Sequence, residues 1–271
     1  MLSAQDMEHM QRLSPFRSRR LFDEFLPIGY EMTTLDTVTD KTGVVGLKVI
    51  LGTIITLYDD YADRPDRLNP KLLQLLYRIP FETVDVHSAF LKPNEREALD
   101  LAKSLFKKLM DGIEQLPNYS QLNDLFKFDL KQFFLANLYS ELLTQQPNLA
   151  NRLENKLYLH HNMGIVMAGM IDLMCLSQFN FSNLGKARRL FLLGQRAGRI
   201  SNVLTTFERE KYEGDLTNEL LTTGMPALEG ELVRIFEFME STEEISAFST
   251  KAYTLGIRRL HSLHLRLKGV I

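Results

Sequence analysis

Apolar residues return at helical spacing in long blocks: Glu95–Gln115, Leu122–Thr144, Ala150–Leu176, Leu184–Tyr212, Leu228–Met239 and Ala247–Lys268. An apolar side chain every three or four positions lines one face of an α-helix, whereas a half-buried strand alternates every second position. The interruptions fall where helices must end. Pro65 and Pro70, Pro80, Pro93, Pro117-Asn118, Pro147-Asn148, Asn180 to Asn183, and Gly224 followed by Pro226 all break a helix or restrict the backbone before it. They divide the chain into about nine helical pieces. No Gly- or Ser-rich linker is long enough to mark a second domain, and no internal repeat is evident. The expectation is an all-α fold, one domain over residues 1–271, long enough to bury a core and enclose a cavity.

The most apolar stretch, Gly43–Tyr58, is rich in Val, Ile and Thr, which locally favour strand. Its sixteen residues are too many for a strand without a turn and too few, with Lys48 near the middle, for a membrane span. A buried helix is expected, with no stable membrane insertion. The N-terminus carries Asp6, Glu8 and Arg12 and does not read as a secretion signal. The lone Cys175 sits in an apolar run without a neighbouring base, which predicts a core thiol and a reducing, cytoplasmic setting. Lys plus Arg total 32 against 34 Asp plus Glu, a net charge of -2 that offers no general attraction for nucleic acid. Strong anion binding would have to come from local arrangement.

The apolar stretch ends on Asp59-Asp60-Tyr61-Ala62-Asp63. On a helix, Asp59 and Asp63 share a face at i and i+4, with Asp60 adjacent to Asp63 at i+3. Three carboxylates so close repel one another unless a cation lies between them, and hard oxygen ligands of this kind suit Mg2+. The bland alternative is a solvated charged corner, since Arg64-Pro65-Asp66-Arg67 follows. Further along, Asn202, Thr206 and Glu210 repeat at i, i+4 and i+8, a stripe of amide, hydroxyl and carboxylate oxygens able to chelate one hard cation. Arg199 lies one turn earlier and Arg209 beside Glu210, both within reach of phosphate oxygens. Alone, this stripe reads more readily as the polar face of an amphipathic helix. The two clusters together, about 140 residues apart, carry more than either.

With these two motifs the chain resembles the bacterial class I terpene synthases. Their aspartate-rich motif is matched by Asp59, Asp60 and Asp63, and their Asn, Ser or Thr, Glu triad by Asn202, Thr206 and Glu210. Arg199, Arg209, the Gly214-Asp215 pair and Asn218 also resemble the family pattern around the second motif. There are three departures. Val203 stands where the family usually has Asp. His160, four residues before a proposed effector Gly164, stands where it has a diphosphate-sensing Arg. The C-terminal Arg-Tyr pair is replaced at best by Arg258-Arg259.

The resemblance implies a single-domain helical bundle of the class I terpenoid synthase type around a central active-site cavity. It also implies Mg2+ (three ions) held by Asp59, Asp60, Asp63, Asn202, Thr206 and Glu210, and a prenyl diphosphate substrate. Arg199, Arg209, Arg258, Arg259 and His160 are its candidate diphosphate ligands. The expected reaction is ionisation of the allylic diphosphate and conversion of the carbocation to a terpene hydrocarbon or alcohol. Phe134, Tyr139, Tyr58 and Phe81 are candidate cavity liners with core packing as the alternative, and Gly46, Gly52, Gly164, Ala168 and Gly169 could leave room that favours C20 over C15. His160 and His161 could bind phosphate, take a terminal proton or simply pack. The segment from Arg258 to Arg266 is either part of a lid or a solvated helix. The alternatives are a synthase acting on a bicyclic C20 diphosphate made by a partner class II cyclase, a chain-elongating or squalene-synthase-like transferase, and a non-catalytic helical interaction protein. An upstream prenyltransferase and a homodimer are further expectations.

Overall fold

The helix that organises the molecule begins at Asp40, whose carboxylate accepts the Gly43 N–H at 3.0 Å as an N-cap. From there the β-branched run coils for 22 residues, Lys41–Ala62, long enough that almost every position in its middle is buried. The structure, a computed structural model, describes residues 2–84, 91–214 and 217–268. Its elements are α1 (Ala4–Leu13), α2 (Leu26–Thr33, preceded by a π-turn at Leu21–Phe25), α3 (Lys41–Ala62), α4 (Pro70–Arg78), α5 (Pro93–Ile113), α6 (Tyr119–Gln145), α7 (Arg152–Tyr158), α8 (Ile165–Cys175), α9 (Leu184–Glu213), α10 (Leu220–Thr223), α11 (Met225–Glu240) and α12 (Thr250–Arg266). The described residues are all-α, with no strand beyond one isolated bridge between Ile245 and Phe248.

α3 packs against α2, α4, α5, α6 and α8, while α9 packs against α8, α11 and α12. α12 closes the circuit by lying along α2. At Gly256 a Cβ would meet the Met32 carbonyl oxygen at 2.1 Å, so only glycine permits that approach. One turn on, Leu260 lies against Gly29, and a further turn on, His264 meets Phe25. The two helices therefore run antiparallel and in register. By length and composition α3 could cross a membrane, and 72% of its most apolar window is buried against other helices.

Two features inside the bundle differ from expectation. The block Ala150–Leu176 is not one helix. It breaks into α7, a 3-10 turn at Leu159–Met163 and α8, because Gly164 takes a left-handed backbone (φ +66°) that other residues avoid. Lys48 is fully buried, its Nζ 2.5 Å from the equally buried Asp172 and 2.9 Å from the Thr34 hydroxyl. Asp172 also accepts the Leu35 N–H at 3.2 Å, so one ion pair joins α3, α8 and the turn after α2. Cys175 packs at the edge of this core, and burial together with Asp172 pushes its thiol pKa up.

Candidate functional site

Five positions of α3, Gly52, Ile55, Thr56, Asp59 and Asp63, fall at the three- and four-residue intervals that keep a stripe on one helix face. Five positions of α9, Arg199, Asn202, Thr206, Arg209 and Glu210, do the same. Both stripes line one cleft of about 1160 Å3, counted out to its open mouth. The acidic cluster and the Asn202 stripe, separated by most of the chain, thus share one cavity.

The oxygen donors are set in different ways. Thr206 is buried and its hydroxyl donates to the Asn202 carbonyl at 2.8 Å, leaving its oxygen lone pairs for other partners. Glu210 is buried and takes the Asn218 side-chain amide at 2.7 Å, with Arg209 3.5 Å from its other oxygen. Asn218 is itself pinned, donating to the Val203 carbonyl at 3.1 Å and accepting the Leu220 N–H at 2.9 Å. It thereby fixes the orientation of the Glu210 carboxylate. Asp215 of the neighbouring Gly-acidic pair lies outside the described residues.

Asp60 behaves unlike its neighbours. It is absent from the cleft lining and fully buried, accepting hydrogen bonds from the Ser14 hydroxyl and from Arg17 Nε at 2.8 Å, with a second Arg17 nitrogen at 2.7 Å. A step of one residue turns a helical side chain about 100°, which carries Asp60 off the stripe occupied by Asp59 and Asp63. Its work is to latch the segment before α2 onto the end of α3. Arg67 and Arg64 frame that latch, stacked over Phe16 at 5.2 and 4.0 Å.

Four arginines line the cleft: Arg17, Arg64, Arg199 and Arg209. Arg199 is buried, donating to the Thr217 carbonyl at 2.8 Å and lying 3.5 Å from Glu219, which also receives Arg196 at 2.7 Å. Arg258 and Arg259 do not belong to this group. Arg258 stacks over Phe236 and binds Glu240 at 2.6 Å, Arg259 is exposed, and α12 turns Leu260 and His264 to the cleft instead.

His160 is also outside the lining. Its Nδ1 donates to the Lys156 carbonyl at 3.0 Å, and burial pushes its pKa down to about 3, so it is neutral at pH 7 and no imidazolium partner for phosphate. His161 faces the other side, 3.4 Å from Gln195. From this turn the cleft receives Asn162, Met163 and Ile165, set by the break at Gly164. The Asn162 side-chain oxygen is buried with no hydrogen-bond partner.

None of the four candidate aromatic liners reaches the cleft. Tyr58 and Phe134 pack with Tyr77, Phe106 and Phe133 in a separate aromatic core, where the Tyr58 hydroxyl donates to the Leu76 carbonyl at 2.6 Å, and the exposed Phe81 meets Phe134 edge to face. Tyr139 pairs with Tyr158 in a small satellite core. The aromatic rings on the cleft are Phe25 and Tyr30. The glycines give close packing more than empty space: a Cβ on Gly52 would strike Tyr30 at 2.8 Å, and one on Gly169 would strike Phe191 at 2.6 Å.

No family model matches the chain. No curated protein matches it at a significant level. Among the described residues, no three His, Cys, Asp or Glu side chains are placed to hold a metal ion by themselves. The cleft instead offers a mixed set, two aspartates on α3 facing an amide, a hydroxyl and a carboxylate on α9. That set suits Mg2+, which takes one or two carboxylates and completes its shell with water and ligand phosphate oxygens.

Proposed function

We propose that this protein is a Mg2+-dependent class I terpene synthase, built on a helical bundle of that type. The observation that carries the reading is the mixed lining of one cleft. Asp59, Asp63, Asn202, Thr206, Glu210 and four arginines line it together with Leu21, Phe25, Leu26, Tyr30, Ile55, Met163, Ile165 and Leu260. An amphiphilic ligand with a diphosphate head and a hydrocarbon tail suits such a lining.

When bound, Mg2+ supplies positive charge that offsets the charge developing on the departing diphosphate. The chain does the remaining work. Asp59 on α3 and Asp63 at its C-terminal cap, with Asn202, Thr206 and Glu210 on α9, would be the oxygen donors for the ions. Arg209, Arg64 and Arg17 sit where they can hold diphosphate oxygens, and Arg199, fixed by Thr217 and Glu219, presents its charge from the cleft wall. The apolar lining keeps water from the carbocation, and the faces of Phe25 and Tyr30 stabilise positive charge. Its substrate would come from a prenyltransferase or, for a bicyclic C20 diphosphate, from a class II cyclase.

Incubation with Mg2+ and geranyl, farnesyl, geranylgeranyl or a bicyclic C20 diphosphate is expected to release diphosphate and a terpene hydrocarbon or alcohol from at least one of them. Release from none, or only elongated diphosphates when isopentenyl diphosphate is added, refutes the proposal.

A further inference from the structure

We infer that His264 is the base that ends the reaction, its Nε2 taking the proton lost when the last carbocation becomes an alkene. The inference rests on the terpene synthase reading and adds to it the mode of termination and the residue responsible.

His264 belongs with the apolar lining of the cleft. The antiparallel register of α12 on α2 sets Leu260 against Gly29 and His264 against Phe25, with the two rings edge to face and their centroids 4.7 Å apart. Both His264 and Phe25 line the cavity, and His264 is otherwise sealed from solvent, with 2% of its surface exposed.

The tautomer follows from one contact. His264 Nδ1 lies 3.0 Å from the Leu260 carbonyl oxygen. A carbonyl only accepts, so Nδ1 carries the hydrogen and, on a neutral ring, Nε2 carries the lone pair. Neutrality is secured by burial, which pushes the His264 pKa down to about 4. Such an imidazole is a weak base in water, but the acid here is a C–H bond beside a carbocation, far stronger than imidazolium.

The other groups on the cleft are less suited. Asp59, Asp63 and Glu210 are, in the proposed reading, the oxygen donors for Mg2+, and a carboxylate so engaged is a poor base. Tyr30 has its pKa raised by burial and keeps its proton. Asn162, with its unpartnered oxygen, accepts a hydrogen bond but not a proton.

In the proposed step the C–H bond adjacent to the cationic carbon breaks and its electron pair becomes the π bond of the alkene. The proton joins the Nε2 lone pair. The resulting imidazolium gives the proton to water once the product leaves, and the diphosphate departs as the anion.

The test compares the wild type with His264→Leu and His264→Gln, measuring diphosphate release and product identity side by side. Both variants are scored by product share per diphosphate released, since a residue on the cleft wall can also change the rate of release. A positioned base is worth about 100-fold or more in its own step, so the wild-type alkene should become a minor product beside alcohols or alkenes with the double bond elsewhere. His264→Gln keeps an N–H for the Leu260 carbonyl and carries the test if the leucine variant misfolds by circular dichroism. The same alkene at the same share in a folded variant overturns the inference, as does loss of diphosphate release, or a wild-type product that is an alcohol. Those results leave the synthase intact. A wild type that releases no diphosphate overturns both.

Discussion

Asp59 and Asp60 are adjacent and chemically identical but face different ways, Asp60 onto Ser14 and Arg17 and Asp59 onto the cleft, so the two substitutions should differ most in their cost to stability. Asp60→Ala removes a fully buried carboxylate that accepts from Arg17 and Ser14. Removing one partner of a buried pair costs about 3–5 kcal/mol, because the remaining charge is stranded. Arg17 keeps 18% of its side chain exposed and can turn towards water, which places the cost near the lower end, about 3 kcal/mol. At about 2–4 °C per kcal/mol for a domain of this size, the melting temperature should fall by roughly 6–12 °C. Asp59→Asn keeps the shape of a half-buried cleft residue and should move the melting temperature by no more than about 2 °C. It should nevertheless abolish diphosphate release. Thermal melts followed by circular dichroism and a diphosphate-release assay on the same preparations decide the matter. An Asp60→Ala protein that melts with the wild type refutes the latch, and an Asp59→Asn protein with full turnover refutes the ligand role.

The buried His264, whose pKa falls from an ordinary 6.5 to about 4, binds fewer protons folded than unfolded between those values. Its contribution to stability is therefore full above pH 6.5 and is lost as pH falls towards 4, about 3 kcal/mol in all. Urea titrations from pH 7 to pH 4 should show this loss in the wild type and a flatter profile in His264→Leu. For the pair Lys48 and Asp172, Lys48→Met alone should destabilise by about 3–5 kcal/mol. Adding Asp172→Leu should recover most of that, short of about 1–3 kcal/mol for the Leu35 N–H left without its acceptor; equal losses in the single and double variants would contradict the account. Asn218→Ala frees Glu210, and the Mg2+ concentration for half-maximal activity should rise about 10- to 100-fold, read from a metal titration of turnover at a temperature where the variant, whose melting point also falls, is still folded.

The parts of this molecule that could be read in its sequence are those fixed by local spacing. Helical periodicity and proline breaks mark α5, α6, α9, α11 and α12 to within a few residues of their observed bounds. The stripes of Asp59 with Asp63, and of Asn202, Thr206 and Glu210, are properties of one helix each, and both survive into the cleft lining. Spacing could not say which way a helix turns its side chains in the bundle. Asp60, Arg258 and Arg259 carry suitable chemistry and are rotated away. Tyr58 and Phe134 are as aromatic as Phe25 and Tyr30, but the face of α3 bearing Tyr58 packs inward against α5 and α6. Arg17, which lines the cleft, had no local signal; its place depends on a pairing across 43 residues.

The same distinction explains why the polar and apolar linings of the cleft differ in how openly they declare themselves. The polar lining repeats along single helices, because side chains three or four residues apart stand on one face within a few ångströms of one another. The apolar lining is assembled from single residues of several elements, Phe25 just before α2, Tyr30 on it, Ile55 on α3, Met163 at the turn before α8 and Leu260 on α12, where His264 joins them, with no local rule linking them. What brings His264 to Phe25 is the register of α12 on α2, and that register depends on Gly256 allowing the helix to touch the Met32 carbonyl. If His264 sets the fate of the carbocation, product identity should respond to substitutions along the α2–α12 seam that leave every oxygen donor untouched. Ionisation should respond to the α3 and α9 stripes.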